Sequence, residues 1–218
     1  MLFQNINMDM LQKFWAHSPK ELLVLMLAGW STGISVYLSV GLLGLCGHFG
    51  WIHLPGELYV FENPLVFSVA FIIFSIEFIA DKVPFVDSVW DSVHTVVRPL
   101  GGFAIGYLAG SEHGAAVQAL YALFAGTLTL NTHIAKAAGR LAINTSPEPF
   151  SNIAASTVEQ GFVIFMYWFF IKHPVFAAFV IAGLILLTFL LIKLLWKFVK
   201  KLFGTSETST FAAKEKQH

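Results

Sequence analysis

The chain has 218 residues, 56% of them hydrophobic and 12% charged, with 22 Phe, 6 Trp, a mean hydropathy of +0.71 and no formal net charge. A soluble domain carries about a quarter charged residues, so the deficit points to lipid as the solvent, excludes a large soluble domain and offers nothing to nucleic acid. The single cysteine, Cys46, excludes an internal disulfide and every Cys-based metal or redox motif.

At about 20 residues per crossing, this length holds about six transmembrane helices. Ahead of them, Met8, Leu11, Phe14 and Trp15 recur at helical spacing with Lys13 opposite. Residues 1–18 therefore read as an amphipathic helix on the membrane surface, not as a cleavable signal. Ser18, Pro19 and Glu21 carry the start signals of a first span over residues 21–46. A polar connection follows through His48, Pro55, Gly56 and Glu57. The second span begins at Asn63-Pro64 and ends near residue 80; the third covers 87–110, with Pro99 inside it. Gly102, Gly106 and Gly110 repeat along the third span at the spacing of close helix packing. Residues 111–143 form a helix longer than a bilayer needs, and spans 152–171 and 174–195 complete the set. The expected fold is an all-α, polytopic membrane helix bundle: a surface helix (1–18), a transmembrane helical domain (19–203) and a disordered tail (204–218).

With the N-terminus inside, Lys13, Lys20, Lys82, Lys136, Arg140, Lys193, Lys197, Lys200 and Lys201 collect on one side and Lys172 on the other. That bias predicts both termini in the cytoplasm.

Two polar segments, 77–99 and 131–160, break the apolar pattern. Pro84, Phe85, Val86 and Asp87 align with Pro149, Phe150, Ser151 and Asn152, which sets Asp91 opposite Ser156 and His94 opposite Glu159. The pattern predicts two parallel-repeat helical hairpins related by an axis along the membrane normal. Asp87, Asp91, His94 and Arg98 share one helical face; so do Glu77 with Asp81, His133 with Lys136 and Arg140, and Asn152 with Ser156 and Glu159. A charge facing lipid costs about 3 kcal/mol or more, so these groups must face one another or water, in a polar chamber opening to the cytoplasm. The residues expected to bind a substrate or ion are Glu77, Asp81, Asp91, His94, Arg98, His133, Lys136, Arg140 and Glu159. Asp87 and Asn152 read first as helix N-caps, and Lys82, with Lys136 and Arg140, admits a reading as an interfacial basic residue. His94, His133, Asp91 and Glu159 have the chemistry of divalent-metal ligands, at a spacing that matches no specific metal signature. No hydrolase or phosphate-loop motif is present, so no catalytic residue and no cofactor is assigned.

The run 80–88 followed by 94–102 resembles a bacterial membrane-protein family catalogued as domain of unknown function 4126. Thr132, His133, Lys136, Arg140 and the run 146–152 resemble its second signature, and the likeness covers roughly residues 20–172. It implies a multi-pass protein of the bacterial inner (plasma) membrane and supplies no established activity. The residues themselves favour a small-solute or ion transporter or channel. Next comes binding or flipping of phosphate-bearing lipid headgroups by Lys82, Arg98, Lys136 and Arg140. A metal-dependent membrane hydrolase or transferase ranks third and a non-catalytic scaffold last. The expected partners are membrane lipids and a small solute, ion or headgroup. About six short spans barely enclose a path, which leaves room for a homodimer.

Overall fold

The computed structural model describes residues 8–83, 86–144, 149–190, 193 and 197, with side-chain surroundings from Pro19 onward. The tail 204–218 and the first residues of the expected surface helix lie outside the described residues. Among the described residues the fold is all-α. The order is α1 (Met8–Ile34), α2 (Val36–His48), a 3-10 segment (Gly56–Glu62), α3 (Pro64–Ala80), α4 (Val86–Ala109), a 3-10 turn (Ser111–His113), α5 (Ala115–Asn144), α6 (Pro149–Lys172) and α7 (Pro174–Leu190). Local chemistry explains several boundaries. Asn63 Oδ1 accepts the Leu65 N–H at 2.9 Å, with Pro64 at the first helical position of α3. Gly114, at φ +82, separates the 3-10 turn from α5.

The N-terminal segment departs from expectation twice. No helix starts at Ser18: α1 runs unbroken through Pro19, so residues 8–18 continue it and are not a separate element. Nor is the stretch 21–46 one rod. Ser35 alone is extended (φ −153, ψ 119), and it ends α1 and caps α2 in one residue, its Oγ accepting the Leu38 N–H at 3.1 Å. The chain folds back there. Ser39 Oγ donates to Ser31 Oγ at 2.6 Å, where a straight helix would hold residues eight apart about 12 Å distant. Glu21, on α1, meets His113 at 2.6 Å, and the far end of α2 packs its Gly47 against Leu54 and Glu62. Glu57 N in turn donates to Ser111 Oγ at 3.0 Å, so both outer ends of the α1–α2 hairpin lie at the His113 end of the bundle. The hairpin tip reaches the opposite end, beside the Asp81–Lys82–Val83 turn. Lys20 and Lys136 are therefore at opposite ends, contrary to the single-sided placement expected from the sequence.

α5 is the hub. α4 lies antiparallel on it along Gly102 and Gly106, where an added Cβ would overlap Thr129 and the Tyr121 carbonyl and, at Gly106, come within 2.7 Å of Ala122 Cα. α1 runs parallel to α5 by the same device, Gly33 seating against Thr129, Thr132 and His133. The glycine repeat is thus a packing stripe, as its spacing implied. α2 lies on α3, with Gly41 against the Phe71 ring. Leu25, Leu38, Leu43, Ile105, Met166 and Ile181 join α1, α2, α4, α6 and α7 in one apolar core.

Outside, the bundle is apolar. Leu65, Ile72 and Ile79 on α3, Val89, Val93, Val96 and Leu100 on α4, and Val158, Phe165 and Trp168 on α6 are all exposed. By length and composition one described helix, Phe150–Lys172, is fit to cross a membrane alone. The 3-10 segment and α3 pass together but are bent by 73°, and α2 and α7 are apolar but shorter.

Candidate functional site

At the hairpin tip the interior turns polar. Glu77, Asp81, Asp87, Asp91, His94, Arg98, His133, Lys136 and Arg140 are all buried, contributed by α3, α4, α5 and the turn after α3. The helical register sorts them: on α4, Asp87, Asp91, His94 and Arg98 point inward while Val89, Val93 and Val96 point out.

Arg98 is the centre of the first half of the cluster. Its guanidinium reaches Glu77 at 3.1 Å and Asp91 at 3.0 Å, and donates to His133 Nδ1 at 2.9 Å. Because Arg98 can only donate, His133 Nδ1 must accept, and His133 Nε2–H then faces Thr95 Oγ1 at 3.0 Å. Both ring nitrogens of His133, a candidate metal ligand by its chemistry, are engaged with Arg98 and Thr95, so neither holds a free lone pair. His94 donates from Nδ1 to the Trp90 carbonyl at 2.8 Å and stacks on the Trp90 ring, leaving a buried Nε2 without a hydrogen-bond partner.

The second half surrounds Asp81. Lys136 meets Asp81 Oδ2 at 2.9 Å, with Asp91 at 4.0 Å. Gln160 Nε2 donates to the same Asp81 oxygen at 3.2 Å. Arg140 donates to the Asp81 carbonyl at 3.2 Å and to Glu159 at 3.0 Å, with Asp87 at 3.7 Å. Lys82 stays at the rim, its ammonium on Ser156 Oγ and the Phe78 carbonyl, both 3.2 Å, and over the Phe78 ring; burial pulls its pKa below the usual lysine value. Lys136 and Arg140 are thus interior ion-pair partners and not interfacial loop charges.

The break in the first helix pair belongs to this site. Lys136 Nζ donates to the Ile34 carbonyl at 3.3 Å, placing a cation on the open C-terminus of α1. Ser35 Oγ donates to Glu77, which places an anion at the N-terminus of α2. Each charge has the sign that the adjoining helix dipole favours. Ser35 carries no Gly or Pro signal, so the sequence did not mark it.

In the sequence Asp87 reads first as the N-cap of its helix. It lies inside α4, and neither of its buried carboxylate oxygens accepts a hydrogen bond, so it caps nothing. The helical face shared with Asp91 and Arg98 was the signal that could have kept it in the site. Oxygens of Asp81, Asp87 and Asp91 lie within 4.8 Å of one another, whereas the expected set of His94, His133, Asp91 and Glu159 is not gathered as a ligand group. Five carboxylates (Glu77, Asp81, Asp87, Asp91, Glu159) face three paired cations (Arg98, Lys136, Arg140), leaving two negative charges unmatched, or one if Lys82 is counted.

Beside the cluster a cleft of about 270 Å³ opens between α1, α5, α6 and α7, lined by Trp30, Asn131, Thr132, Phe162, Leu184 and Leu187, with Lys136 and Glu159 on its wall. No curated protein and no solved structure matches the chain. One family profile does, over residues 22–194, and it places the chain in the family described as Domain of unknown function (DUF4126).

Proposed function

We propose that the protein is a multi-pass membrane protein of the bacterial inner membrane that binds a cation in a buried charged chamber and passes it between the two sides. The observation that carries this reading is the inverted distribution of polarity. Nine ionisable residues are buried in one network while the large apolar side chains of α3, α4, α6 and α7 face outward. Apolar surface of this extent is stable only against lipid, and buried ionisable groups at that depth are expensive unless they serve a pathway. A helix broken beside the charges, with its open termini meeting Lys136 and Glu77, is the construction transporters use to hold ions.

The residual negative charge favours a cation. It weighs against a phosphate-bearing headgroup, since Arg98, Lys136 and Arg140 are each already held by a carboxylate. The cleft bounded by Lys136 and Glu159 supplies an approach from the α6–α7 side. The C-terminal part of α7 lines the same cleft as Lys136, and Lys193 and Lys197 follow it, which argues that the cluster end faces the cytoplasm.

The test is flux of protons and of labelled Na⁺, K⁺ and Mg²⁺ into proteoliposomes. Protein-dependent flux should appear for at least one ion and drop at least tenfold in Glu159→Gln/His94→Gln. Flux equal to empty liposomes for every ion, or flux untouched by that double substitution, overturns the reading.

A further inference from the structure

The geometry points to a divalent, oxygen-preferring cation site at Asp81, Asp87 and Asp91, completed by Gln160. This names the ion class of the chamber proposed above and rests on that reading.

Three carboxylates close together would not carry the inference alone. The second observation is a set of orphaned acceptors. Asp81 Oδ1, Asp87 Oδ1, Asp87 Oδ2 and Gln160 Oε1 are buried, and none accepts a hydrogen bond. Gln160 is 2% exposed and Asp87 is fully buried. A buried acceptor left unsatisfied is destabilising, more so if charged, so four together call for a partner that the chain does not provide. The surrounding cations do not fill the role. Arg140 turns Nη1 to the Asp81 carbonyl and Nη2 to Glu159, its Nε reaches no acceptor, and its guanidinium stays 3.7 Å from Asp87, while Lys136 holds the other Asp81 oxygen.

The donor set selects the ion. These four orphaned acceptors are oxygens, three from carboxylates and one from an amide, which suits Mg²⁺, Mn²⁺ or Ca²⁺ and not a thiolate-seeking metal. Carboxylate oxygens within 4.8 Å of one another match the span across one ion. Opposed ligands lie about 4.0–4.2 Å apart around Mg²⁺ and about 4.6–5.2 Å apart around Ca²⁺. The excess negative charge of the cluster gives such an ion a charge to neutralise.

Full-length protein in mild detergent, stripped with chelator, would be titrated with Mn²⁺ while the aqueous Mn²⁺ paramagnetic resonance signal is followed, then with Ca²⁺ and Mg²⁺ as competitors. One saturable Mn²⁺ per chain is expected, displaced by Ca²⁺, and weakened at least tenfold by Asp87→Asn and by Gln160→Ala. Glu21→Gln, at the other end of the bundle, should leave binding unchanged. Asp87→Asn keeps shape and breaks no hydrogen bond, and Gln160→Ala serves if it fails to fold. Absence of saturable binding, or binding unaffected by both substitutions, overturns the site. Ion flux that depends on Glu159 and His94 without Mn²⁺ binding also overturns it and leaves the transport reading standing. Binding without any flux overturns transport and leaves the site.

Discussion

Replacing Arg98 by Met should cost more stability than any other single change in the cluster. The side chains of Arg98 and Glu77 are fully buried and Asp91 is 11% exposed, with the three charges linked at 3.0 and 3.1 Å. Met fills similar volume but strands Glu77, left with only the Ser35 hydroxyl, and leaves Asp91 with Lys136 at 4.0 Å. Removing one partner of a buried pair costs about 3–5 kcal/mol because the other charge stays buried. For a chain of this size each kcal/mol moves the midpoint by about 2–4 °C, so tryptophan-monitored melting in fixed detergent should fall by roughly 6–20 °C. Glu77→Gln/Arg98→Met should recover about half of that loss, since it removes one stranded charge and keeps an acceptor for Ser35. If Arg98→Met melts within about 2 °C of the parent, or if the double variant is no more stable than the single, the network is not held by charge pairing as described.

Four further outcomes follow from contacts elsewhere. Gly106→Ala should lose about 1–3 kcal/mol in the same melt, as its Cβ would press Ala122 on α5. Gly161→Ala, with open space around it on α6, should be neutral or gain up to about 1 kcal/mol. Ser35→Ala removes the cap of α2 and should cost about 1–2 kcal/mol, with faster amide hydrogen exchange confined to the first turn of α2. Tyr167→Phe removes a hydroxyl 3.2 Å from Ser31, but Ser39 still donates to Ser31; the loss should stay near 1 kcal/mol, and a much larger one would mean that Tyr167 locks the hairpin.

Much of the helix pattern was legible because Asn63-Pro64 and Pro174 punctuate the chain, and α3 and α6 begin and end within a few residues of their expected bounds; the helix expected from residue 111 instead begins at Ala115, after Gly114. The inward face of α4 was equally plain, since Asp87, Asp91, His94 and Arg98 fall on one helical stripe. The fold-back at Ser35 was not. One extended residue between two apolar helices leaves the hydropathy continuous, and its cause, a bond from Ser35 to Glu77 forty-two residues away, is tertiary. Asp87 was misjudged for a related reason: first-turn acids usually serve the backbone, and only the approach of α5 shows this one facing Arg140. Within the two segments read as a repeat, Asp91 faces Arg98 and Lys136 while its aligned partner Ser156 serves Lys82.

The fold-back at Ser35 also changes the parity of the chain. Glu21 and His48 lie at the same end of the bundle, so the segment between them makes no net passage along it, whereas α3 to α7 run along it alternately, five times. Five is odd, so were each of these helices to cross a membrane, Glu21 and the end of α7 would face opposite sides. A reporter fused ahead of Glu21 would then read the same compartment as one inserted after His48, and the other compartment from one placed beyond α7. During insertion the first apolar segment would enter as a closed loop, leaving α3 to make the first commitment to a direction.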